Sequence, residues 1–430
     1  MERNMKSRGM RALLKLLVPI ALAGAIIAAW GVSSSASGLG SGKSTVTKIS
    51  LLYQAPLTGG ADYVGLQGCD GWKLAATQID KSGGIPKGPM KGSKFSVQCV
   101  DNGMSADTAA SIASRYVSTP SIWAMGGFYS SGNAIAAALV ANRAGLAVIA
   151  SNVAGDFLTT EVKNTYVILP RLETAGAAAA DFCHAYYGAT KIAALVPNYA
   201  YVPFYLKGLR ARVKADGLRL VSVQTWPDLQ TTNWDPYFTK LQSQGAQCIA
   251  LGAYPPEQCL ITKQLRQLGQ SQPTIDLTTS WTSPACRQEA GRYYPGMIFG
   301  TYLPAFPKKN SLFARLAPVF QREYRVPMSD YATNGYDSVI AIELAIEDGA
   351  SNRSDLVKYL AGVHGQGIGG PISFSGRRIG FRYLTWMEVT KSDTLQPVAE
   401  YGTQGYSARR LFVADCAKRP SCQKNLGSSA

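Results

Sequence analysis

The sequence predicts an α/β protein built from two Rossmann-like, doubly wound parallel-sheet lobes joined by a hinge. Three observations carry this. Apolar runs rich in β-branched residues alternate with runs of helical periodicity from residue 46 onward; the alternation comes in two series, divided near residue 170; and helical stretches return after residue 302, followed by two more short strands. Parallel neighbours need crossover connections of about a dozen residues or more, which the intervening helices supply, so each series implies one sheet with helices on both faces.

In order, the first series reads as a strand at 46–53, a helix at 65–81 closed by Gly83 and Gly84, and strands at 95–100, 122–125 and 146–150, with helices at 106–117 and 134–143 between them. After an apolar stretch at 166–169, the second series gives helices at 175–187, 201–214, 234–243 and 257–268, and strands at 191–196, 219–225, 247–252 and 274–279. Beyond 297–302 come helical stretches near 312–324, 332–348 and 355–360, then strands at 371–374 and 383–389. The late helices read as additions to the first lobe. The chain then crosses between lobes more than once, as a hinge requires.

Residues 1–36 have the layout of a signal peptide. Arg3, Lys6, Arg8, Arg11 and Lys15 precede an apolar run at 16–32 and the small residues Ser33 to Ser37, which places a mature start near Ser37 after which 37–45 is a Ser/Gly linker. The protein is therefore expected to be exported, periplasmic or extracellular, in association with the cell envelope. The alternative is an uncleaved anchor, because the apolar run sits at the lower limit for spanning a bilayer. The formal net charge is +16, but the basic residues are scattered, with mild concentrations on the 201–214 helix and in a Cys-containing tail at 406–430. A nucleic-acid binder would more often show a dense stripe interleaved with aromatics, so no nucleic-acid partner is expected.

The eight cysteines all follow the signal segment, and an even count in an exported chain points to disulfides. Adjacency favours Cys416 with Cys422, and neighbouring βα units favour Cys69 with Cys99 and Cys259 with Cys286, but the pairing stays open. No C-x-x-C occurs and the only histidines are His184 and His364, so neither a metal nor a cofactor is expected. Catalysis is not expected either: neither histidine falls in a loop that could meet Ser130, and no G-x-S-x-G or phosphate-binding G-x-x-x-x-G-K-[ST] pattern appears after the signal and linker.

Ligands of open parallel sheets bind at the carboxyl ends of the strands. The corresponding loops are 55–63, 126–133, 151–155, 197–201, 253–257 and 280–284, rich in Tyr, Ser, Thr and Asn and poor in charge. The central one, Gly126 to Asn133, is a strand-to-helix turn. Its glycines permit a tight turn, and Ser130 or Ser131 can cap the following helix, leaving amide N–H groups aimed outward where an anion such as a carboxylate would be held without a cationic side chain.

Several of these segments resemble the leucine/isoleucine/valine-binding protein family of solute receptors that feed ABC importers. Gln54-Ala55-Pro56-Leu57-Thr58-Gly59-Gly60 is similar to that family's Gly-Pro-Leu-Thr-Gly stretch, and Ser82-Gly83-Gly84-Ile85 to its Ala-Gly-Gly-Ile turn; Gly126 to Ser131, Gly252 to Glu257 and Gly370 to Phe374 match in the same order. The resemblance covers roughly residues 46–390. It implies a type I periplasmic-binding-protein fold, with an N-terminal lobe of 46–170 and 303–372 and a C-terminal lobe of 171–302 and 373–405, closing around a small ligand as a monomer that delivers to an ABC permease. Carried over by position, Ser130 and the amide of Ser131 would hold a ligand carboxylate, Asn152 would line the same side, and Tyr63, Tyr201 and Tyr254 would cover the ligand.

Two departures bear on specificity. Ala154 stands where the family's amino-acid binders usually have threonine, and Ser280-Trp281-Thr282 offers no carboxylate where they meet the ligand's ammonium. A desolvated ammonium without an anionic partner would cost several kcal/mol. Tyr129, Phe128 and Trp281 point instead to an apolar or aromatic carboxylate or amide, alongside an amino-acid-like ligand. The rival reading is a non-catalytic ligand-sensing or interaction module anchored at the membrane.

Overall fold

The structure, a computed structural model, describes residues 47–423 apart from 154, 156–157, 159–161, 228–230, 255–256, 278–282, 375–382 and 405–406. The expected signal peptide, the linker, Ala154 and Ser280 to Thr282 lie outside the described residues.

The first sheet is made of β1 (Lys48–Ala55), β2 (Lys94–Asp101), β3 (Ile122–Gly127), β4 (Ala147–Ala150) and β5 (Thr165–Val167), all parallel, in the order β2-β1-β3-β4-β5. Helices α1 (Asp62–Lys81), α2 (Ala106–Tyr116) and α3 (Ser131–Arg143) connect its strands. The second sheet begins with β6 (Lys191–Pro197), β7 (Arg219–Trp226), β8 (Cys248–Leu251), β9 (Thr274–Asp276) and β10 (Ile298–Thr301), again parallel, joined by α4 (Leu172–Tyr187), α5 (Val202–Ala215), α6 (Asp235–Ser243), α7 (Glu257–Gln267) and α8 (Pro284–Ala290).

After β10 the chain returns to the first sheet as α9 (Leu312–Tyr324), α10 (Asp330–Glu347) and α11 (Arg353–Leu360), as the late helical periodicity led one to expect. The Gly-rich stretch after them is a hairpin, β11 (His364–Gly367) with β12 (Gly370–Ser373), rather than a plain crossing turn. The Asp337 carboxylate fixes its turn by accepting from the amides of Ile368 and Gly369 at 2.6 and 3.0 Å.

The chain then re-enters the second sheet as three antiparallel strands, β13 (Tyr383–Val389), β14 (Leu395–Gln404) and β15 (Ser407–Val413), giving the order β15-β14-β13-β10-β9-β8-β6-β7. The sequence had β15 down as a basic tail. Its Arg410 is not solvated: it pairs with Asp181 of α4, which also takes Arg212 at 2.9 Å and the Tyr401 hydroxyl. A short helix α12 (Pro420–Gln423) ends the described chain and is tied down by an Arg410 hydrogen bond to the Cys422 carbonyl.

Disulfides join Cys69 to Cys99, Cys259 to Cys286 and Cys416 to Cys422, and the fourth, Cys183–Cys248, ties α4 to β8. No helix among the described residues is long and apolar enough to cross a membrane.

The helices α1 and α10 meet backbone to backbone. A Cβ on Gly71 would lie 2.1 Å from the Ala332 carbonyl oxygen, and one on Gly335 would lie 2.4 Å from that of Gly68. Beside this contact Trp72 is fully buried and donates its indole N–H to Ser151 at 3.0 Å. Gly71→Ala has no flexible side chain to displace, so it is expected to cost at least about 1–3 kcal/mol as overpacking, read as a lowered urea midpoint; an unchanged midpoint would show that the two helices can separate freely.

Further along α10, burial and the neighbouring Glu347 push the Glu343 carboxyl up from 4.5 to about 7. An acid raised on folding binds its proton more tightly in the folded state. Its stabilising contribution is complete below pH 4.5 and is lost as pH rises through about 7. Glu343→Gln should therefore raise stability at pH 8 by about 1–2 kcal/mol, the shift being discounted for partial exposure, and leave it unchanged at pH 4; an equal effect at both values would refute the assignment.

Candidate functional site

β3 ends in two glycines followed by a residue in an unusual conformation. Gly127 has φ +89° and Phe128, fully buried, has φ +62°. A left-handed phenylalanine costs about 1–3 kcal/mol and persists only where its surroundings hold it. Here the Phe128 amide donates to the Gln54 carbonyl at 2.7 Å, and the kink swings the chain so that Ser130 becomes the N-cap of α3. Ser130 makes no side-chain capping bond, and Ser131 opens the helix with its amide and hydroxyl toward the second sheet.

The group that meets them is Tyr254, two residues past Gly252 in the loop after β8. Its hydroxyl stands by the side chain and backbone amide of Ser131 in the pocket that the two residues share. Burial pushes this phenol well up, with Ser131 opposing the shift only in part. An oxygen from the second half of the molecule thus stands beside the position in which the turn was expected to hold a carboxylate oxygen.

Around this contact the aromatic side chains converge. The Tyr129 and Tyr254 rings are 4.8 Å apart, Tyr199 stacks on Tyr254 at 5.1 Å, Tyr201 lies 5.5 Å from Tyr254, and Tyr331 meets Tyr129 edge-on at 5.9 Å. The Tyr201 hydroxyl is buried without a hydrogen-bond partner among the described residues, and burial, then Tyr254 and Asp276, push its pKa far up. A buried donor in that position favours an acceptor presented to it.

Asn152 is gripped from behind. Its Oδ1 accepts from Asn334 of α10 at 3.2 Å, and its side chain also meets the Tyr53 hydroxyl. Between these groups lies a narrow pocket of about 50 Å³.

Of the residues singled out by sequence, Tyr129, Ser131, Asn152, Tyr201 and Tyr254 line this one pocket. Ser130 caps the helix beside it. Tyr63, at the start of α1, lines a different pocket next to β10, and Trp281 lies outside the described residues. Sequence reasoning missed Tyr199, Tyr302 and Tyr331. Tyr199 sits in a loop already marked as facing the cleft and Tyr302 directly follows β10, so both were within reach; Tyr331 belongs to α10, whose return to the cleft no local pattern announces. Among the described residues no carboxylate lines the pocket, yet Glu257, Asp276 and Asp330 are buried near its tyrosines. Among the described residues no group of three or more His, Cys, Asp or Glu is placed to hold a metal ion.

The Tyr254–Ser131 contact is testable by itself. Tyr254→Phe should lower the stability of the unliganded protein by about 0.5–1.5 kcal/mol, and adding Ser131→Ala should cost less than the two single effects together, because both changes remove one interaction. Strict additivity in urea unfolding would mean that the two side chains are not coupled.

The fold has solved counterparts. The branched-chain amino acid transporter substrate-binding protein LivJ from Streptococcus pneumoniae, in complex with isoleucine, superimposes with a TM-score of 0.73 at 20% identity, over 82% of this chain and 99% of that one. A solute-binding protein of an ABC transporter from Rhodopseudomonas palustris, in complex with 3,4-dihydroxybenzoic acid, gives 0.71 at 19% identity, over 83% and 98% of the two chains. Another from Rhodopseudomonas palustris, in complex with benzoate, gives 0.69 at 16% identity, over 85% and 96%. At these identities the likeness establishes the fold alone. No curated protein matches the sequence. The model of the periplasmic binding protein family matches residues 48–393, and the chain belongs to that family of solute binders, which hold their ligands without transforming them.

Proposed function

We propose that this protein is the extracytoplasmic solute-binding component of an ABC importer. Its lobes, 46–170 with 303–372 and 171–302 with 373–405, close as a monomer around a small ligand and present the closed form to a membrane permease. The ligand has an apolar or aromatic body and a carboxylate or amide head. The observation that carries this reading is the start of α3, with the Ser131 amide and hydroxyl beside Tyr254, opening onto a pocket lined by a cluster of tyrosines. A carboxylate or amide oxygen at the start of α3 takes the same donors, and an aromatic body exchanges places with tyrosine rings at little cost in contact area. Structural neighbours in complex with benzoate and dihydroxybenzoate support the same class.

A second reading, an α-amino acid, is favoured by one observation. Asp276, at the end of β9 in the second sheet, is buried close enough to Tyr201 to act on its ionisation, so a carboxyl group stands behind the pocket's tyrosines. The isoleucine and leucine complexes among the neighbours agree with it.

A thermal-shift panel of benzoate, benzamide, leucine and isoleucine separates the two. A ligand at a hundred times its dissociation constant adds about 2.7 kcal/mol of stability. Benzoate or benzamide stabilising while leucine does not supports the first reading, and the reverse supports the second. Ser130→Ala and Ser131→Ala should each weaken a carboxylate ligand by about 1–3 kcal/mol if the hydroxyl meets the charge; unchanged affinity in both would remove this turn from the site. If none of the panel shifts the transition, the importer reading gives way to an anchored sensor or interaction module.

A further inference from the structure

A second pocket is larger than the tyrosine pocket. A pocket of about 260 Å³ lies where the chain leaves β10 for α9. Its walls come from three places. Phe313 and Met328 belong to α9 and the approach to α10, Phe299 and Met387 to β10 and β13 of the second sheet, and Leu303 and Leu395 to the crossing and to β14. It is almost wholly apolar. Among the described residues, the only carboxylate lining it is Asp330, fully buried, whose Oδ2 accepts the Tyr302 amide at 3.1 Å, and no Lys, Arg or His lines it.

Volume and charge together restrict the occupant. An apolar cavity of about 150 Å³ accommodates one benzene ring, so this one has room for a two-ring system or a branched aliphatic of similar bulk. An anion entering it would lose its hydration, meet no cation among the lining residues and face the Asp330 carboxylate. The tyrosine pocket has the opposite character, with amide and hydroxyl donors at a helix start.

We propose that this hinge-side pocket is a second binding site, selective for uncharged apolar molecules of about two rings. The site goes beyond the solute-binding reading and does not depend on which solute the tyrosine pocket takes.

The test uses two dyes with one two-ring skeleton, 1-naphthylamine, which is uncharged at neutral pH, and its sulfonated analogue 5-aminonaphthalene-1-sulfonate. The neutral dye should bind with a stoichiometry of one and blue-shifted emission, and the sulfonate about tenfold or more weaker. Leu303→Trp, which fills the cavity, should weaken the neutral dye about tenfold or more. Leu395→Glu does the same from the rim, and at 41% exposure its side chain can change without burying charge in the core, so this variant stays informative if Leu303→Trp fails to fold. Absence of saturable binding by the neutral dye, equal binding of the sulfonate, or unchanged affinity in the folded variants would each overturn the proposal.

Discussion

The close contact between α1 and α10 is the constraint on which the rest of the structure depends. It brings together residues more than two hundred and fifty positions apart, and it works only because neither helix places a side chain at the point of contact. Once the backbones touch, a buried chain of hydrogen bonds closes beside them. Trp72 donates to Ser151, Ser151 meets Ser338 at 2.8 Å, and Ser338 donates to the Asn334 carbonyl at 2.8 Å, while the Asn334 amide holds Asn152. Each bond contributes only about 1 kcal/mol net, but a buried group left unpaired costs more than it would have gained, so the set stands or falls together. Its result is local and functional: the loop after β4, which carries Asn152, is fixed from beneath by a helix that the chain makes only after leaving the second sheet.

With that floor in place, the cleft acquires a direction. Ser131 at the start of α3 presents an amide and a hydroxyl, and the positive end of the helix favours an acceptor or an anion there. Asp276 and Glu257, from β9 and α7, are buried near Tyr201 and Tyr254. Burial pushes the phenols of Tyr201, Tyr254 and Tyr302 upward, so these three remain neutral hydroxyls at physiological pH. In the proposed site a ligand would therefore be oriented by the helix start and the buried carboxyls, and covered by rings that stay uncharged. The second pocket has no such polarity, which is why its occupant must differ.

Much of this was legible in the sequence, and the reason lies in how local each signal is. The alternation of β-rich and helical runs depends on neighbours a few residues apart, so β1 to β4, β6 to β9, α1 to α7 and α9 to α11 appeared near where the pattern placed them, while the short α8 went unread. Tyr129, Tyr201 and Tyr254 could be picked out because they follow strands, and in parallel sheets that position alone puts a residue at the cleft. Tyr302 carries the same mark, directly after β10, and went unread; Tyr331 carries none, since it reaches the cleft only through the return of α10 to the first sheet. Tyr63 was placed by its neighbours in the motif 54–65, yet the first turn of α1 directs it toward β10 instead.

The strands β14 and β15 show why a charge pattern misleads when its partner is distant. Arg409 and Arg410 read as part of a solvated basic tail, but Asp181 lies on α4, more than two hundred residues earlier, inside an alanine-rich helix that gives no hint of a buried carboxylate. Removing Asp181 and Arg410 from water is costly, and their attraction offsets that cost only because Arg212 and Tyr401 complete the carboxylate's hydrogen bonds. A sheet edge held only by apolar contacts could shift in register; one that must bring Arg410 to Asp181 cannot, since a slip of one residue would turn the guanidinium to the opposite face. That fixed register carries through β14 to β13, and thereby sets Leu395 and Met387 against the crossing after β10.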